Sequence, residues 1–140
     1  MWAIREYQPS DFNFIAHSFL RSQRGSREAR AMIDSVYYPA FKERLETMLR
    51  ISKVHVICAE ADLDQIAGYL LTSKIADWDV LHYIYVKHPF RRLGLAKDAL
   101  DHVLKGFGER PTICTHLPKN WPSLAEKYKL IFDPKYVRDK

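Results

Sequence analysis

Between Val80 and Ala99 the chain reads VLHYIYVKHPFRRLGLAKDA, and its hydrophobic period changes within one loop. The first half is rich in β-branched and aromatic residues, which suits a strand. From Gly94 onward, Ala96, Ala99, Leu100, Val103, Leu104 and Phe107 recur at helical spacing, a stripe that Gly106 and Gly108 close. A strand that feeds a helix through a short loop commits the chain to packing a helix on a sheet. It also builds an anion site. The first N–H groups of a helix lack intrahelical partners, and the helix dipole favours negative charge there. Gly94 permits close approach, Ala96 adds almost no side chain, and Arg91 and Arg92 bring guanidinium groups that can each meet two phosphate oxygens.

The remaining segments extend this α/β pattern. Trp2, Ile4 and Glu6 alternate with Ala3, Arg5 and Tyr7 as a first strand, which ends at the Pro9-Ser10-Asp11 turn. Ser10 or Asp11 then caps a helix carrying Phe12, Ile15, Ala16, Phe19 and Leu20 on one face, and this helix ends before Gly25. Phe41, Leu45, Met48 and Leu49 predict a second helix starting near Pro39, because proline favours a first helical position. Val54 to Glu60 and Ile66 to Leu71 read as a hairpin around Ala61 to Gln65, and a third strand, Val80 to Val86, follows the turn at Ala76 to Asp79. Thr112 to Thr115 reads as a strand, Asn120 to Lys129 as a short helix starting near Pro122, and LIFDPKYV as one or two short strands broken by Pro134. The expectation is a mixed central sheet with helices on both faces, in one domain spanning residues 1–140.

Composition narrows the function classes. With 47% hydrophobic and 28% charged residues the chain supports a packed core. No apolar run approaches the roughly 20 residues of a bilayer crossing, and Arg5 and Glu6 precede any signal-like apolar block, so the chain is expected to be cytoplasmic with no membrane partner. Cys58 and Cys114 sit in apolar, β-branched stretches, as buried free thiols do, and the six histidines show no ligand spacing; neither a disulfide nor a metal is expected.

Arg91-Arg92-Leu93-Gly94-Leu95-Ala96 fits the R/Q-x-x-G-x-G/A pattern of the GNAT superfamily of acetyl-CoA-dependent N-acetyltransferases. The chain resembles that family in context too: a strand ending in a hydrophobic residue (Val86), a loop with an aromatic (Phe90) before the arginine, and the family's order of elements over nearly the whole chain. The proline stands one place later, at Pro89. The resemblance implies a GNAT-like α/β fold with acetyl-CoA as co-substrate. It implies that the backbone of Ile84, Tyr85 and Val86 pairs with the pantetheine arm as an added strand, and that Arg91, Arg92, Leu93, Gly94, Leu95 and Ala96 hold the pyrophosphate. A backbone N–H of this strand, that of Tyr85, would polarise the thioester carbonyl. The formal net charge of +5 is then accounted for by a polyanionic cofactor as well as by nucleic acid.

Acetyl transfer to an amine needs a proton acceptor for the ammonium and a donor for the departing thiolate. His82 lies four residues before Val86, which the two-residue period places on the face of Val80, Ile84 and Val86, with Tyr83 and Tyr85 pointing away. Some aralkylamine N-acetyltransferases look similar here and carry a water-linked histidine base at that position; they have a further histidine where this chain has Val80. A histidine packed on a sheet face is the competing reading. Tyr128 ends N-W-P-S-L-A-E-K-Y, which resembles the family's N-x-x-A-x-x-x-Y, whose tyrosine protonates the CoA thiol; the spacing is one residue longer, which leaves Asn120 in doubt as a CoA ligand. Its alternative is an aromatic packing the last helix.

The acceptor is not legible. Tyr37, Tyr38 and Tyr69 are candidates for an acceptor pocket or for the core, and Arg21, Arg24, Arg27 and Arg30 form either an anion-recognising stripe or a solvated loop. The reading is an N-acetyltransferase acting by direct attack on a small-molecule or protein amine, with nucleic acid supported only by charge and oligomeric state open, a homodimer included. The alternative is a GNAT-like protein that binds a protein or nucleic-acid partner without catalysis.

Overall fold

The computed structural model describes residues 1–117 and 121–134. Six strands form one sheet among them, in sequence order: β1 (Trp2–Glu6), β2 (Lys53–Ala59), β3 (Ile66–Ile75), β4 (Trp78–Val86), β5 (Thr112–Cys114) and β6 (Leu130–Phe132). The first four run antiparallel, and β4, β5 and β6 are parallel. The helices are α1 (Phe12–Gln23), α2 (Arg27–Arg30), α3 (Asp34–Ile51), α4 (Leu95–Val103) and α5 (Trp121–Tyr128). Apolar residues of α1 and α3 pack with Tyr69, Leu71 and Tyr83 on one side of the sheet. Those of α4 pack with Ile57, Leu70 and Leu81 on the other, so helices cover both faces of a mixed sheet.

Three elements differ from their sequence reading. Helix α3 starts at Asp34, not near Pro39, which lies inside it. Tyr37, Phe41, Leu45 and Met48 are its buried stripe, so core packing extends the helix one turn ahead of the proline and overrides the missing N–H. The segment before it adds the short α2, whose N-cap Ser26 accepts the Ala29 N–H at 3.2 Å. Strands β3 and β4 are longer than read, because their connection is the pair Ala76 and Asp77, at φ 50° and 70°, a left-handed hairpin turn built without glycine. Asn120 and the end of LIFDPKYV lie outside the described residues.

Two irregularities in the ladder shape the site. Leu71 pairs with Tyr83 but Thr72 pairs with Leu81, so β4 carries one extra residue, His82, and bulges there. Beyond that bulge β4 loses β5 as a neighbour: the two strands pair only at Val80–Ile113 and Leu81–Cys114, whereas β4 continues to Val86. On the other flank Gly68 sits against β4 so closely that a Cβ would lie 2.2 Å from the Tyr85 carbonyl oxygen. Gly68→Ala should therefore destabilise the fold by about 1–3 kcal/mol and displace Tyr85, as measured by urea unfolding and backbone amide shifts. An unchanged midpoint would mean that β3 and β4 separate freely at that point.

Candidate functional site

The turn that follows β4 is the segment where the sequence predicts an anion site. His88–Phe90 form one 3-10 turn, and Phe90 anchors it edge-on against Trp2, with ring centroids 4.9 Å apart. Arg92 and Gly94 take positive φ, 66° and 78°. The first backbone bond of α4 runs from the Asp98 N–H to the Gly94 carbonyl at 3.0 Å, so the N–H groups of Leu95, Ala96 and Lys97 precede the intrahelical ladder. Among the described residues nothing lies within 4 Å of the position a Gly94 Cβ would take.

Side chains divide between packing and presentation. Leu95 is buried in the α4-side core, which leaves only its backbone for a ligand, whereas Arg91, Arg92, Leu93 and Gly94 are exposed. Arg91 donates from Nε to the Val86 carbonyl at 2.7 Å, and its guanidinium lies 5.7 Å from the Tyr85 ring centre. That bond links the arginine to the end of β4. Ile84, Tyr85 and Val86 are half-buried on the stretch of β4 that has no β5 neighbour.

On the side of α3, the splitting of β4 from β5 opens a cavity of about 840 Å³. His82, Tyr83, Thr115 and His116 form its floor, and Arg27, Glu28, Glu43 and Arg44 stand among its walls. The bulge corrects the expected alternation: His82 and Tyr83 line the same cavity instead of facing opposite ways. His82 is fully enclosed, with Nε2 2.6 Å from Ser73 Oγ and Nδ1 3.2 Å from Thr115 Oγ1. Thr115 Oγ1 is in turn 3.2 Å from His116 Nδ1, on a ring that is only half-buried.

Both imidazoles are pushed down to about 4. Burial is the main cause for each, with His116 adding to it at His82 and Arg44 at His116. Both are therefore neutral at pH 7. The same depression makes the fold acid-labile. A histidine that titrates near 6.5 unfolded and about 4 folded contributes full stability above pH 6.5, and that contribution drains away as the pH falls toward 4. The loss at His82 amounts to about 3 kcal/mol. Thermal melting between pH 7.5 and 4.5 should show this slope, and His82→Gln should flatten it; an equal slope in the variant would place the acid sensitivity elsewhere.

Tyr128 is not brought to this cavity. Its ring stacks on Phe107 at 4.9 Å and 22°, on the α4 side of the sheet, within electrostatic reach of Lys97. Tyr37 and Tyr69 are core residues and Tyr38 is surface-exposed; none of the three lines the cavity. The arginine stripe is dispersed. Arg24 holds the α1–α3 corner through Ala29, Met32 and Asp34, whereas Arg27 reaches the cavity wall. The sequence reading passes over Ser73, Thr115 and His116. Their signal is positional, since Thr115 and His116 directly follow β5, at the carboxyl end of parallel strands where α/β sheets place ligands.

A model of the acetyltransferase (GNAT) family matches residues 13–123. The chain belongs to this family. Among solved structures, a possible acetyltransferase from Clostridium difficile 630 is similar at 20% identity and a TM-score of 0.52, over 74% of this chain and 68% of that one. A GNAT-family acetyltransferase from Staphylococcus aureus Mu50 (17% identity, TM-score 0.49, 74% of this chain and 63% of that one) resembles it less closely. So does the ribosomal-protein-S18-alanine N-acetyltransferase of Escherichia coli (17%, 0.49, 74% and 57%). At these identities the likeness to the Clostridium protein speaks for the GNAT fold alone. No curated protein matches the chain. Among the described residues no group of His, Cys, Asp and Glu could hold a metal ion, and no helix is long and apolar enough to cross a membrane. Within this GNAT fold the open edge of β4 leads into the turn at Gly94 and, through Tyr83 and Ile84, also borders the histidine cavity.

Proposed function

We propose that this protein transfers the acetyl group of acetyl-CoA to a primary amine by direct attack in a ternary complex. One observation carries the reading: from Tyr83 to Val86 the edge of β4 that faces away from β3 has no strand neighbour among the described residues, and it leads straight into the positive-φ turn that opens α4. An extended amide-bearing chain can complete that edge by backbone hydrogen bonds, while its phosphates meet the N–H groups of the turn. In this reading Ile84, Tyr85 and Val86 hold the pantetheine arm, and Arg91, Arg92 and the backbone from Leu93 to Ala96 hold the pyrophosphate. The Lys87 N–H bonds the Ala67 carbonyl at 2.7 Å, so the alternation of the ladder turns the Tyr85 N–H toward β3 as well, and the N–H expected to meet the charge developing on the thioester oxygen is that of Ile84 or Val86 on the open edge, not that of Tyr85.

The amine enters from the α3 side, where a cavity of about 840 Å³ is ample for a small molecule or a peptide end. Nitrogen attacks the carbonyl carbon, the C–N bond forms as the C–S bond breaks, and the nitrogen proton passes to the neutral histidines of that cavity. We assign Tyr128, on the opposite side of the sheet, to protonating the departing thiolate. Acid and base then reach the reacting atoms from opposite sides. Two buried free cysteines suit a reducing compartment, and we place the reaction in the cytoplasm.

Calorimetric titration with acetyl-CoA tests the reading. The native chain should bind saturably, and Arg91→Ala should weaken binding by at least tenfold, in line with the loss of one charge-assisted contact. An amine screen that follows thiol release would then compare Tyr128→Phe with the native chain. Failure of the native chain to bind acetyl-CoA would sink the enzyme reading and leave a GNAT-fold binding protein.

A further inference from the structure

The acetyltransferase reading leaves open which side chain meets the amine, and the cavity floor answers it. His82, the histidine on β4, is 0% exposed, with both ring nitrogens occupied by side-chain partners. No amine can touch it without breaking one of those bonds and opening the sheet. His116, just beyond β5, is half-buried and lines the same cavity, with Nδ1 3.2 Å from Thr115 Oγ1 and a ring N–H bonded to the His82 backbone. We propose that His116 is the catalytic base that accepts the proton of the acceptor amine, with Thr115 and His82 as the residues that position it.

The donor pattern gives this arrangement a definite form. Thr115 gives its single hydroxyl proton to the His82 carbonyl at 3.3 Å, so its oxygen accepts from both His82 Nδ1–H and His116 Nδ1–H. His82 Nε2 is then left to accept from the Ser73 hydroxyl. Every bond in the chain then has one donor, and the lone pair of His116 is left on Nε2. As the C–N bond forms, the nitrogen loses its N–H bond and a new N–H bond forms at His116 Nε2. The positive charge rests on that ring until the proton leaves through the cavity. The Nδ1–H stays on Thr115 throughout and fixes the tautomer, which is the service a positioning residue renders to a basic imidazole. The groups facing the ring are Glu43 and Arg44 of α3, Arg27 and Glu28 of α2, and His82 and the Tyr83 phenol of β4.

The test combines a structural and a kinetic readout on the full chain. Long-range proton–nitrogen NMR of the imidazoles should find His116 as the Nδ1–H tautomer in the native protein, and Thr115→Val should abolish that preference while Thr115→Ser keeps it. In assays that supply acetyl-CoA and a panel running from ethylamine to phenethylamine and short peptides with free N-termini, His116→Gln should lower kcat/KM by about 10²–10³-fold. Its acetyl-CoA affinity should stay within about twofold of the native value. Thr115→Val should lose about tenfold and shift the acidic limb of the kcat/KM profile, with Thr115→Ser restoring both. An Nε2–H tautomer at His116, or a His116→Gln variant as active as the native chain, overturns the proposal. Absence of acetyl-CoA binding by the native chain would instead remove the acetyltransferase reading on which it rests, and the tautomer measurement would still report on the histidines.

Discussion

Arg5→Ala should cost the fold about 3 kcal/mol, the largest loss expected from a single substitution away from the site. Arg5 on β1 grips Asp11 through two bonds of 2.8 Å, and the two side chains are only 11% and 4% exposed. The same guanidinium donates to the Leu63 carbonyl at 2.9 Å, and Asp11 also accepts the Gln8 N–H at 2.8 Å. One ion pair thus ties the first strand, the turn into α1 and the β2–β3 loop. Removing the arginine leaves a carboxylate enclosed without its counter-charge, which is the costly way to break such a pair. The Arg5 bond holds Asp11 below its usual value, so the pair contributes above about pH 4 and is lost as the pH falls through the lowered value. Urea unfolding at pH 7 measures the effect, and Arg5→Met with Asp11→Leu should recover part of it. A loss under 1 kcal/mol in Arg5→Ala would show that water already reaches the carboxylate.

Gly94→Glu should raise the acetyl-CoA dissociation constant at least a hundredfold while the chain still folds. Gly94 has φ 78°, so any side chain there pays roughly 1–2 kcal/mol of backbone strain. Among the described residues no atom within 4 Å opposes a Cβ, however, and a carboxylate beside a helix N-terminus is itself favourable. The new carboxylate competes for the very N–H groups that a pyrophosphate needs, and it repels what it does not displace. Displacement and repulsion together are worth about 3 kcal/mol, or about two orders of magnitude in affinity. Gly94→Ala isolates the strain and should weaken binding far less. Calorimetry on both variants decides: near-native affinity in Gly94→Glu would mean that the cofactor does not lie on this turn.

The parts of the fold that the sequence makes legible are those whose chemistry is local. The turn from Arg91 to Ala96 is one, because a glycine, small side chains and clustered guanidinium groups occur within six consecutive residues. The amphipathic faces of α1 and α4 are others. The start of α3 is not legible, since the rule that places proline at a first helical position is local, while the burial of Tyr37 against α1 is not. The hairpin pair Ala76 and Asp77 escapes detection because neither is the glycine or asparagine that such a turn usually takes. The bulge at His82 depends on partners nine and thirty-three residues away, Ser73 and Thr115, which no window on β4 contains. The pairing of His82 with His116 is hidden for the same reason.

The extra residue in β4 also governs how positions on this strand can be matched between relatives. Counting back from Val86 in twos gives the right face only as far as Ile84; on the far side of the bulge Leu81, not Val80 or His82, shares the α4-side core with Ile84 and Val86. A correspondence drawn by offset across this point lands one residue out of phase, and it would equate a core side chain with a cavity one. Matching the two halves of β4 separately, from Val86 backward and from Trp78 forward, avoids the error. It leaves His82 as an inserted position that must be compared by its partners instead of its number.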